Sequence, residues 1–256
     1  MQKTKWGEMT RAELEQRTRF IDTALLPIGS IEQHGPHLPL DTDTYDAGYI
    51  LEESVKRIDR PKPLILPTIP YGVSDHHMAF PGTITIKSKT LQDMIIDIGR
   101  SIIQHGIQKL FIYNAHGGNT STIKLAASKL KRETGLLVFI DSGESMGPGK
   151  ERYVDSENDV HAGEYETSTS MANRGELVEE EAIPEKEMDF PDDEFEFDND
   201  PPFLFTWDTH ELSKIGVLGD PKKATKEKGE KLWDEGITIL ANRIKKVMEM
   251  DKSLLR

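Results

Sequence analysis

Ala24-Leu25-Leu26-Pro27-Ile28 closes on Gly29-Ser30 and runs directly into Ile31-Glu32-Gln33-His34-Gly35-Pro36-His37-Leu38-Pro39-Leu40-Asp41-Thr42-Asp43. The short apolar run reads as a buried strand, because it is too brief for a core helix and ends at a turn signal. The polar stretch behind it then occupies the carboxyl end of that strand, where open α/β sheets bind their ligands.

The pattern repeats outward from this point. Thr44 to Ile58 has helical spacing, with Ala47, Ile50, Leu51, Val55 and Ile58 on one side. Pro63 to Ile69 predicts a second strand, and Thr90 is placed to cap a helix carrying Leu91, Met94, Ile95, Ile98, Ile102 and Ile103. Leu110 to Tyr113 predicts a third strand, followed by a helix over 121–134 and a fourth strand over Leu136 to Ile140. Further helices are expected at about 163–173 and 221–250, the last with Pro221 near its first turn. Thr10-Arg11-Ala12-Glu13 reads as a capping box before a short first helix. Strands alternating with helices predict an α/β fold with a mainly parallel sheet, expected as a single domain over residues 1–256.

Composition bounds the function. The chain has 256 residues and a net charge of −13, but the acid is local. From Glu176 to Asp200 there are thirteen Asp or Glu and one Lys, so the rest is close to neutral. With no basic stripe, a nucleic-acid partner is not expected. No apolar run of spanning length and no signal-peptide pattern occurs, so no membrane partner is expected and the cytoplasm is the expected compartment. Without cysteine, a metal site must be built from His, Asp and Glu. The acidic excursion at about 176–202 also carries Phe190, Phe195, Phe197 and Phe203, which argue for partial docking.

Four stretches carry candidate chemistry. Glu32 and His34 are two apart, so on extended chain they point to one side. Asp43 can return to the same place from the next helix. Carboxylate and imidazole together suit Zn²⁺, Mn²⁺ or Fe²⁺. Asn114-Ala115-His116-Gly117-Gly118-Asn119 follows the third strand, and its glycines let backbone approach a ligand. Gly117, Gly118 and Asn119 are candidates for substrate contact, and Asn114 and Asn119 could also orient His116 or cap the following helix. Asp159-Val160-His161-Ala162-Gly163-Glu164-Tyr165-Glu166 opens a helix, with both Glu164 and Glu166 open as ligands. Pro70 to Thr83, with His76 and His77, follows the second strand as a substrate-shaping wall; His77 is the candidate contact there.

GSIEQHGPHLPLDTD, HMAFPGT, NAHGGN and HAGEYETS, in this order, resemble the creatininase (creatinine amidohydrolase) family over most of the chain. The resemblance implies a three-layer α/β/α sandwich, a homo-oligomer such as a hexamer, and a two-metal site. It implies Glu32 and His116 as ligands of one ion, His34 of the other, Asp43 as the bridging carboxylate and His161 as proton donor to the leaving nitrogen. Creatininase itself has a glutamate where this chain has Gly118, so Glu166 is the expected replacement ligand. Three carboxylates in one crevice would repel without metal and shift their pKa values upward. The implied activity is hydrolysis of a C–N amide, formamide or cyclic amide bond of a small molecule. Zn²⁺ is the first choice, and the ions would lower the pKa of water towards about 7. A family peptidase acting on a modified peptide is the alternative. A non-catalytic metal-binding α/β module and a two-metal phosphatase or nuclease are the rivals from other classes.

Overall fold

The structure, a computed structural model, describes residues 3–142, 150–156, 158–186 and 206–251. Four parallel strands form one sheet: β1 (Thr23–Ile28), β2 (Leu64–Ile65), β3 (Lys109–Asn114) and β4 (Leu137–Ser142), in the order β2-β1-β3-β4. Every residue of β1 and β3 is buried, as the continuous apolar runs require of strands covered on both faces. The helices are α1 (Arg11–Arg17), α2 (Thr42–Lys56), α3 (Ser88–Ile103), α4 (Thr120–Thr134), α5 (Glu164–Arg174), α6 (Thr209–Leu212) and α7 (Lys226–Glu249).

The period-two alternation of the strands sorts the core into two layers. Leu26, Ile28, Leu110 and Ile112 pack with Leu91, Ile95, Ile102, Ile123 and Leu130 of α3 and α4. Leu25, Phe111 and Tyr113 pack on the other face with Ile50 and Leu51 of α2 and Trp233, Leu240 and Ile244 of α7. The expected α/β/α sandwich is the observed fold. Strand order reverses between β1 and β3, with β2 outside β1, so a crevice opens at their carboxyl ends. Ile28 stands opposite Asn114 there, which sets the loops after the two strands side by side.

Several boundaries differ from the sequence reading. The second strand shortens to two ladder residues because Pro67 has no N–H to donate; pairing resumes at Ile69, whose N–H reaches the Pro27 carbonyl. Thr90 lies inside the first turn of α3, and the residue before that helix is Lys87. Pro221 opens a separate 3₁₀ turn, and Thr225 caps α7 by accepting from the Lys228 N–H. The capping box at Thr10 and Glu13 is present. The start of the acidic stretch is docked: Val178 packs with Leu38, Ala162 and Val217, and the Glu179 N–H donates to the His37 carbonyl. Phe190, Phe195, Phe197 and Phe203 lie outside the described residues. Among the described residues, no helix is long and apolar enough to cross a membrane.

Candidate functional site

Four loops and one helix start meet at the crevice. After β1 the chain passes so close to α2 that a Cβ on Gly29 would lie 2.5 Å from the Thr44 Cα. The Thr44 hydroxyl lies 2.8 Å from the Ser30 carbonyl and 2.9 Å from the Pro70 carbonyl and shares its one proton between them, tying the first loop to the one after β2. Ser30 Oγ donates to Asp43 Oδ2 at 2.7 Å. Asn114 accepts from the His116 N–H and donates to its carbonyl, which holds the turn after β3.

Glu32, His34, Asp43, His77, His116 and His161 are all buried. Asp43 stands between two imidazoles: Oδ1 is 3.2 Å from His34 Nε2, and Oδ2 is 3.2 Å from His116 Nδ1. Glu32 Oε2 is 3.2 Å from the same His116 nitrogen. On the other side, Glu166 Oε1 is 3.8 Å from His34 Nε2. Among the described residues, three sets converge closely enough to hold an ion: Glu32, His34 and Asp43; His34, His161 and Glu166; and Glu32, His77 and His161. The outer ring nitrogens of His116 and His34 are held by backbone. His116 Nε2 donates to the Val73 carbonyl at 2.9 Å, and His34 Nδ1 to the Glu32 carbonyl at 3.1 Å. Such outer bonds fix which nitrogen faces a cation.

The cluster's electrostatics suit a cation. Burial disfavours charge on Glu32, yet His116 and His77 overcome it and hold the carboxyl well below its usual range. Burial likewise opposes charge on His34, but Asp43 and Glu166 push it up to about 10. Glu166 rises to about 7, through burial first and then the opposing pull of His34 and the repulsion of Asp43. The expected upward shift of all three carboxylates therefore holds only for Glu166; protonated histidines counter the charge on Glu32 and on Asp43, which is also lowered. Glu32 Oε2 is buried and finds no well-aligned hydrogen-bond donor among the described residues, its neighbour His116 Nδ1 at 3.2 Å being shared with Asp43. An acidic oxygen left that way is costly unless something else binds it, and a divalent ion fits this donor set.

The structure separates residues that the sequence left together. Glu164 faces away, accepting from the Asp155 and Ser156 N–H groups and pairing with Lys228. Glu166 faces the cluster and accepts from the Ala162 N–H. Asn119 is buried, its amide committed to the Gly29 carbonyl and the Val73 N–H, so it ties loops together instead of facing substrate. A Cβ on Gly118 would lie 2.1 Å from the Val73 carbonyl oxygen, so the glutamate of creatininase has no room at this position. His77, adjacent to His76 in sequence, comes within 3.4 Å of Glu32 Oε1. His76 stacks on His116 and meets Trp207 edge-on. Three residues of the site carry no sequence signal of their own: Gln33, Trp207 and Ser74, whose Oγ lies 3.2 Å from His116 Nε2. Gln33 sat inside the motif, whereas the approach of Ser74 and Trp207 depends on how distant loops fold over the crevice.

A family model described as Creatininase: Creatinine amidohydrolase matches residues 7–244. The mycofactocin precursor peptide peptidase of Mycolicibacterium smegmatis is 32% identical over 236 residues, 89% of this chain and 86% of that protein. The creatinine amidohydrolase of Pseudomonas putida is 27% identical over 259 residues, 93% of this chain and 95% of that one. The crystal structure of creatinine amidohydrolase (creatininase) superposes with a TM-score of 0.84 at 25% identity, covering 98% of this chain and 100% of that one. Two creatininase structures, one a mutant described as Zn-Zn type and one as creatininase Mn, give TM-scores of 0.82 and 0.78. Both are 25% identical, and both cover 97% of this chain and 100% of theirs.

Proposed function

Because this chain belongs to the creatininase family, whose hydrolase chemistry on C–N bonds it shares, we propose that it cleaves an amide bond of a modified peptide with the help of two divalent ions. The observation that carries this reading is Asp43 placed between His34 and His116, with Glu166 on one flank and Glu32 on the other. Glu32, Asp43 and His116 would hold one ion; His34, Asp43 and Glu166 would hold the other. Bound there, Zn²⁺ or Mn²⁺, the ions named for the creatininase structures, would supply Lewis acidity and lower the pKa of water towards about 7. Two divalent cations balance three carboxylates and one hydroxide.

The chain's own contribution is proton handling and enclosure. His161 Nε2 donates to the Gln33 carbonyl at 2.8 Å, so Nδ1 faces the cluster, 3.7 Å from Glu32 Oε1. In this reading Nδ1 takes a proton from the attacking water and delivers it to the leaving nitrogen. That refines the expected role of His161: it accepts before it donates. His76 and Trp207 would wall the approach on the His116 side.

A peptide substrate is favoured over the expected small molecule by the named peptidase relative. A small cyclic amide or formamide is the second reading, favoured by the creatinine amidohydrolase similarity over nearly the whole chain. Rates on a short peptide, N-formylaniline, creatinine and p-nitrophenyl phosphate separate the readings. Hydrolysis of the peptide is expected, with the phosphate ester untouched. Two ions per chain are expected in purified protein, and His116→Ala and Asp43→Ala should abolish loading. Either variant retaining full metal content and activity would overturn the assignment.

A further inference from the structure

We propose that Gln33 is a positioning residue that sets the ring protons of His77 and His161 in opposite senses. His77 thereby becomes a fixed hydrogen-bond donor, and His161 a bare-nitrogen acceptor, at one carboxylate. The backbone dictates the orientation of the buried Gln33 amide. Gln33 Oε1 accepts from the Gly35 N–H at 2.9 Å, and Nε2 donates to the Gly216 carbonyl at 2.9 Å. Turning the amide over would set oxygen against oxygen and N–H against N–H, so only one orientation satisfies both.

With one Nε2 hydrogen committed to Gly216, the second is left for His77 Nδ1, 2.9 Å away. An amide nitrogen has nothing to accept with, so His77 Nδ1 must be the acceptor. The Thr209 hydroxyl, 2.9 Å from the same nitrogen, faces the same lone pair as a second, competing donor. A neutral His77 ring therefore carries its proton on Nε2, which lies 3.4 Å from Glu32 Oε1. The backbone carbonyl of the same Gln33 faces His161 Nε2 at 2.8 Å and can only accept. The His161 proton is thus on Nε2, and its Nδ1 is bare. The 3.1 Å approach of Gln33 Nε2 to His161 Nε2 is a contact between two donors and carries no hydrogen bond. The two rings lie 4.2 Å apart and offer an N–H and a lone pair side by side to Glu32.

Gly216 makes this possible. Its φ is +81°, and a Cβ there would fall 2.0 Å from Gln33 Oε1. The proton placement stands on hydrogen-bond geometry alone; its catalytic consequence rests on the amide hydrolysis proposed above. There, His77 Nε2–H would hold the carbonyl oxygen of the substrate as charge develops on it, while His161 Nδ1 handles the proton of water.

Ring ¹⁵N–¹H correlations of the full chain labelled at histidine, recorded before and after Zn²⁺ addition, test the placement. The expected spectrum has His77 unprotonated at Nδ1 and protonated at Nε2 in both states. In Gln33→Glu the carboxylate cannot donate, so the His77 proton should move to Nδ1. On the short peptide, kcat should fall about 10–100-fold with Zn²⁺ content unchanged. His77→Gln keeps a donor without a tautomer to set, so adding Gln33→Glu to it should cost much less than in the parent chain. A parent spectrum with the His77 proton on Nδ1, no tautomer change in Gln33→Glu, or fully multiplicative kinetic losses would overturn the proposal. If no amide is hydrolysed at all, the functional reading fails while the spectra still decide the proton placement.

Discussion

At the scale of single residues, the site depends on which side chains face inward. Glu164 and Glu166 lie in the same first turn of α5, yet one pairs with Lys228 and the other flanks His34. Glu166→Gln should keep the fold and lower metal content from two ions to one, as measured by elemental analysis. Glu164→Gln should keep both ions but destabilise by about 1–3 kcal/mol in chemical denaturation, because Lys228 loses its buried partner. Gly118→Ala should destabilise by a similar ~1–3 kcal/mol and lower the metal content, since its Cβ would press on Val73 and His116. Much of this was legible in the sequence: Glu32 and His34, two apart at a strand end, and His116 after another strand. The choice between Glu164 and Glu166 was not. A helix start puts both near the loop, and only the exact turn of Ala162 and Gly163 decides which one points in. Gln33 was hidden for another reason, because the side chains and carbonyl that define its role, those of His77, His161 and Gly216, lie 44, 128 and 183 residues away.

At the scale of elements, the packing of α5 on α7 places Glu166. The two helices approach so closely at Gly229 that a Cβ there would lie 1.9 Å from the Ser168 carbonyl oxygen. Trp233 of α7 also donates its ring N–H to the Thr169 carbonyl of α5. Gly229→Ala should therefore cost about 1–3 kcal/mol and reduce occupancy of the ion flanked by Glu166 more than that of the ion flanked by Glu32. Differential metal analysis during a chelator titration reads this. The strands and long helices were clear from apolar periodicity because burial on both faces leaves little choice. The ends were less clear: β2 stops at Pro67 for want of an N–H, and α7 waits for Thr225 because its hydroxyl caps better than Pro221 does.

At the scale of the whole molecule, the sheet order brings loops from distant segments to one crevice and buries a cluster whose carboxylates are countered by protonated histidines when no cation is bound. Without ions, His34 is pushed up to about 10 and His116 is also raised by Glu32 and Asp43 against the effect of burial, so both hold protons at neutral pH. An incoming ion must displace those protons. Loading should therefore release protons, and affinity should climb as pH rises from 6 towards 9. Titration calorimetry in buffers of different ionisation enthalpy measures the release; a pH-independent affinity with no proton release would contradict it.

The spacing of the ligands along the chain has a consequence for biosynthesis. Glu32, Asp43 and His116 are all made before translation reaches α5, so a ribosome-bound chain can already assemble half of the cluster. Glu166 arrives later, and α7, which seats its helix, later still. For the two-ion site proposed above, the order of synthesis would favour capture of the Glu32-flanked ion first. The metal most abundant around the nascent chain then has the first opportunity to occupy it.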